Sequence, residues 1–83
     1  MNKYRNLTAS ALVKNAPGVL KGMYVNSTTG GTIKFWDAVT ATTPVINNTI
    51  TPAIGYHNLG DVSFNIGLYA TIANTLDVTL HYV

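Results

Sequence analysis

Cysteine is absent from this chain. That excludes a disulfide framework, a thiolate metal site and a cysteine nucleophile. Glutamate is absent as well, so Asp37, Asp61 and Asp77 are the only acids. A structural metal site needs about four ligands at a diagnostic spacing. These acids, His57 and His81 offer no such spacing, and neither a metal nor any other cofactor is expected. Ser10, Ser27 and Ser63 lack a catalytic context. Ser63 lies between Val62 and Phe64, without the Gly-x-Ser-x-Gly elbow that exposes a nucleophile. Gly30-Gly31 runs into Thr32-Ile33-Lys34, not into the Gly-Lys-Ser/Thr of a phosphate loop. An enzyme is therefore not expected.

Charge is also scarce. Charged residues make up 10% of the 83 positions, against about 25% in ordinary soluble domains. Thr, Asn and Ser take their place. The pI is about 9.1, but Lys3, Arg5, Lys14, Lys21 and Lys34 are scattered. The basic value reflects few acids. Phosphate recognition calls for a basic cluster or stripe, so nucleic acid is not an expected partner. No apolar run approaches the roughly 18 residues of a membrane helix, and a membrane is not expected either. The N-terminal residues lack the apolar core of a secretory signal. The expectation is synthesis in a cytoplasm, with any outside location reached on a particle.

A chain of this length buries only roughly 60–65% of its unfolded surface. Without a disulfide or metal, the simplest further support is another copy of itself. A neutral polar surface suits a protein packed in an assembly, so a homo-oligomer is expected.

What the sequence does contain is alternation. In Val62–Val83, Val62, Phe64 and Ile66 share one face; Leu68, Ala70 and Ile72 follow; then Leu76, Val78, Leu80 and Tyr82. Period two and β-branched or aromatic content indicate strands. The breaks at Gly67 and Asn74-Thr75 suggest a hairpin here. Upstream, Leu7–Asn15 alternates weakly. Pro17-Gly18 has the form of a type II turn. Val19–Ser27 carries apolar residues on both faces, as a central strand does. Gly30-Gly31 reads as a tight reversal. Ile33 and Phe35 oppose Lys34 and Trp36 in the next strand. Residues 39–44 form a small-residue linker, and Val45–Thr51 is a further strand closed by Pro52. The expected fold is all-β: a small antiparallel β-sandwich or jelly-roll-like barrel of six to eight short strands. Residues 1–6 form an N-terminal arm, and residues 7–83 a single β domain.

Gly31-Thr-Ile-Lys-Phe-Trp-Asp37, with Val62-Ser-Phe-Asn-Ile-Gly-Leu-Tyr-Ala-Thr-Ile72 and Leu76-Asp-Val-Thr-Leu-His-Tyr82, resembles a group of small tailed-phage virion proteins. Those chains read Gly-Thr-(apolar)-Lys-(apolar)-(aromatic)-Asp early and Phe-x-x-Gly-Leu-Tyr late. The resemblance covers Leu7–Val83. It implies a capsid decoration or head or tail accessory protein, forming a closed oligomer, with a trimer favoured, against the major capsid or other virion proteins. It carries over no catalytic residue.

Tyr4, Arg5, Trp36 and Tyr69 are the expected interface residues. Trp36 lies off the Ile33/Phe35 face, and large apolar side chains so placed mark interfaces. The alternative is a carbohydrate- or cell-surface-binding β module stacking sugars on Trp36, Tyr24 or Tyr56. A third reading is a barrel binding single-stranded nucleic acid through its aromatics.

Overall fold

The computed structural model describes residues 3–83. Six strands form one antiparallel sheet: β1 (Lys3–Leu7), β2 (Ala11–Lys14), β3 (Gly18–Trp36), β4 (Val45–Ile50), β5 (Gly55–Phe64) and β6 (Leu68–Tyr82). The all-β expectation and the lower strand count hold, but the strands are not uniformly short. β3 has 19 residues and β6 has 15, and the two pair along most of their length, from Leu20↔Tyr82 to Trp36↔Tyr69.

The other four strands line the free edges of this long ribbon end to end. β1 pairs with the second half of β6 and β2 with its first half. β5 pairs with the first half of β3 and β4 with its last residues. Four interruptions of this pattern fall on one line. Between β1 and β2 the chain is out of register over residues 8–10, where the Ser10 hydroxyl oxygen accepts from the Ile72 N–H at 2.8 Å. Between β4 and β5, residues 51–54 belong to no strand. On β6, Asn74 adopts φ 60°. On β3, Thr29 and Gly30 both oppose Thr75, and Gly30 adopts φ 63°. An extra residue with a left-handed glycine is a β-bulge, which bends the strand that carries it. The sheet is thus creased along a single line and folded into two layers.

The first layer holds β1, β5 and the adjoining halves of β6 and β3. The second holds β2, β4 and the remaining halves. Their apolar sides meet in one core of Leu7, Leu20, Met23, Val25, Phe64, Val78 and Leu80 from the first layer, and Val13, Ile33, Phe35, Leu68 and Ala70 from the second, with Leu76 beside the crease. The shortest dimension, 17 Å, accommodates two layers about 10 Å apart.

Several turns expected from sequence lie inside strands. Gly30-Gly31 does not reverse the chain, and Asn74-Thr75 does not close a hairpin; both belong to the crease. Val62–Phe64 ends β5, which pairs with β3 and not with β6. Pro17-Gly18 forms no type II turn, because Gly18 lacks the positive φ and opens β3. β2 and β3 do not pair; the chain passes between layers at residues 15–17. Gly67 lies between strands, in the crossing from β5 to β6. Of the arm, residues 1 and 2 fall outside the described residues, and Lys3–Asn6 belongs to β1.

At the open side, opposite the crease, Asp37 joins the layers. Its carboxylate accepts the N–H groups of Asn65 at 2.9 Å, Ile66 at 2.8 Å and Gly67 at 3.3 Å. Burial alone would raise its pKa, but these backbone donors together outweigh that and hold it below the usual carboxylate range. The resulting stabilisation is present above about pH 4, where an unfolded aspartate is already ionised, and is lost as pH falls through the lowered folded value. Asp37→Ala is expected to lose about 1–3 kcal/mol near neutral pH. The gap from the parent should narrow as both are taken toward about pH 2. Urea denaturation across that range checks it; a constant gap would contradict the charge-based account.

Candidate functional site

Since both layers turn their apolar sides inward, two outward faces remain, and their chemistry differs. On the first layer the register builds two rows across four strands. One reads Tyr4, His81, Gly22, Asn58; the other reads Asn6, Thr79, Tyr24, Tyr56. Tyr4 is 78% exposed, Tyr24 45% and Tyr56 52%. Gly22 leaves the space in which the Tyr56 ring lies: a Cβ there would meet the Tyr56 hydroxyl, its Cζ at 2.7 Å and the His57 carbonyl at 2.8 Å. The Tyr56 and His81 ring centroids are 5.7 Å apart, with the planes tilted by 36°.

Beside these rings is a hydrogen-bonded polar node. Asp77 Oδ1 accepts the amides of Asn6 at 2.7 Å and Asn26 at 3.2 Å, and both amides also reach Thr79 Oγ1 at 3.3 Å. Among the described residues, Asp77 Oδ2 accepts no hydrogen bond. Neither row contains Lys, Arg or an aliphatic side chain. Two nearby cations are engaged elsewhere. Arg5 Nη1 donates to the Leu12 carbonyl at 2.7 Å, and Lys21 pairs with Asp61 at 3.5 Å, where Gly60 and Asp61 bulge out of β5 with positive φ.

The second layer presents a stripe of Leu12, Tyr69, Trp36 and Val45, one from each of its four strands and consecutive in register. Trp36 and Tyr69 are half-buried. Trp36 Nε1 donates to Thr71 Oγ1 at 3.2 Å, and the Lys34 ammonium sits 4.3 Å from the Trp36 ring centroid. That cation–π contact covers part of the indole and fixes its orientation.

The four residues expected as contacts are therefore divided. Trp36 and Tyr69 are register partners on the second layer, and Tyr4 lies on the first. Arg5 ties β1 to β2 through the Leu12 carbonyl. Tyr24 and Tyr56, named only for stacking sugars, are opposite one another in register. Sequence reasoning gave no role to Gly22 or Asp37, and left His81 as part of a plain polar face. His57 and His81 do not converge with the acids: His57 Nε2 lies 2.7 Å from the Ala53 carbonyl, and no group of three or more metal-binding side chains forms among the described residues. Comparison with protein-family models, curated proteins and solved structures finds no match.

Proposed function

We propose that this protein is a non-enzymatic structural component of a phage virion, an oligomeric decoration or head or tail accessory protein that stabilises the particle. The observation that carries the reading is the Leu12–Tyr69–Trp36–Val45 stripe, an apolar and aromatic band across all four strands of one layer. Aromatic anchors with few charges are the composition of an interface core. Burying the stripe between copies supplies apolar contact that a chain of this size cannot make within itself. Packing the oligomer on a capsid lattice then stabilises the assembled state by mass action. The resemblance to small virion proteins supports the particle assignment.

Light scattering on a dilution series tests the reading. The expected result is a closed oligomer, with a trimer favoured, that persists on dilution. Trp36→Glu, which places a charge in the stripe, is expected to yield a folded protein of monomer mass. A parent that is a folded monomer at every concentration overturns the proposal.

A further inference from the structure

We infer that the outward face of the first layer binds an uncharged glycan, with pyranose rings lying on Tyr24 and Tyr56 and hydroxyls held by Asp77 and its amide neighbours. This goes beyond the assembly reading and does not rest on it, because it uses the opposite layer.

The two outward faces sort the possible occupants by their composition. The second layer carries Leu12 and Val45 beside its aromatics, as a protein interface does. The first layer's rows offer aromatic rings interleaved with neutral hydrogen-bonding groups and no aliphatic side chain, a face that suits a hydroxyl-rich ligand. An anionic ligand would need Lys or Arg. Neither row has one, and Asp77 adds a negative charge at their margin.

A neutral pyranose has the matching chemistry. Its C–H face is apolar and packs flat on a ring, while its rim of hydroxyls both donates and accepts. Tyrosine supplies rigid contact area at low entropic cost. Tyr24 and Tyr56 sit opposite one another on adjacent strands, about 4.8 Å apart along the pairing direction. The polar node is already organised. Asn6 and Asn26 hold one oxygen of Asp77, and the other remains to accept from a sugar hydroxyl, as an ionised carboxylate can. Gly22 matters because any side chain there would displace the Tyr56 ring from the platform.

The test is an amide NMR titration of the full chain with neutral malto-, cello-, chito- and manno-oligosaccharides. Sialyllactose and heparin fragments serve as charged controls. At least one neutral oligosaccharide is expected to give saturable shifts centred on Gly22, Tyr24, Tyr56, Thr79 and His81, and the charged controls none. Tyr24→Ala and Tyr56→Ala should each weaken binding about tenfold, and Tyr24→Phe should retain it. Both positions are exposed, and unchanged amide dispersion elsewhere confirms folding. If either variant fails to fold, Asp77→Asn, which removes the carboxylate assigned to the sugar hydroxyls, keeps the proposal testable and is expected to weaken binding. The inference is overturned if no neutral oligosaccharide binds saturably, if the alanine variants bind as the parent does, or if this face shifts on dilution without sugar, which would mean that a second copy covers it.

Discussion

Phe35→Ala is expected to bring the protein close to complete unfolding, with a loss of about 3–5 kcal/mol. Phe35 is fully buried and is among the largest such side chains in the core. It sits in the second layer with Ala70 as its register partner on β6. A small partner there leaves little capacity to refill the space after truncation. For a domain of 83 residues, the whole folding free energy is about 4–12 kcal/mol, so the cost is a large share of the total. Urea denaturation should show a much lower midpoint with an unchanged slope. A loss below about 1.5 kcal/mol would mean that the ring is not packed in the shared core.

Gly31→Val is expected to cost about 3 kcal/mol, through crowding and not through backbone conformation. A Cβ at Gly31 would meet the Thr75 carbonyl oxygen, the Leu76 Cβ at 2.7 Å and the Thr28 hydroxyl at 2.9 Å. The first of these is backbone on the facing strand at the crease, so relief requires opening the ribbon there. Its neighbour makes the contrast. Nothing lies within 4 Å of a Cβ added at Gly30, but Gly30 has φ 63°, so Gly30→Ala should lose only about 1 kcal/mol. Gly30→Asn should lose less, because asparagine tolerates that region. Thermal unfolding resolves the two, since 1 kcal/mol moves the midpoint of a domain this size by roughly 4–8 °C. Equal losses at both positions would contradict the creased ribbon.

These glycines also explain what the sequence made legible and what it hid. Alternation identified the strands and most of the core: Ile33 with Phe35, and Val78 with Leu80, fall inward as period two requires. It failed where a residue is inserted. Lys21 lies at a register shift in β3, which turns both Leu20 and Met23 inward although an unbroken strand would place them on opposite faces. Gly30-Gly31, Gly60-Asp61 and Asn74-Thr75 have the composition of reversals, because turns and bulges need the same left-handed residues. Only pairing partners distinguish them, and those partners lie about 40 positions or more away along the chain. The candidate faces were partly legible: Trp36 and Tyr69 share an outward face, but nothing local shows that Tyr24 and Tyr56 meet over Gly22. The Gly31–Asp37 and Val62–Ile72 segments acquire a structural reading as well. Gly31 sits at the crease, and Asp37 and Gly67 join at the open side, so three of their positions answer to folding constraints.

The placement of β6 has a consequence for synthesis. β1 and β2 are made before β3, β4 and β5, yet the strand that both pair with, β6, follows all of these. At roughly 5–20 residues per second, the N-terminal strands wait several seconds with their hydrogen-bonding edges unmatched. Unpaired edges of this kind recruit other chains. Folding yield will therefore depend on how many unfinished neighbours each new chain meets.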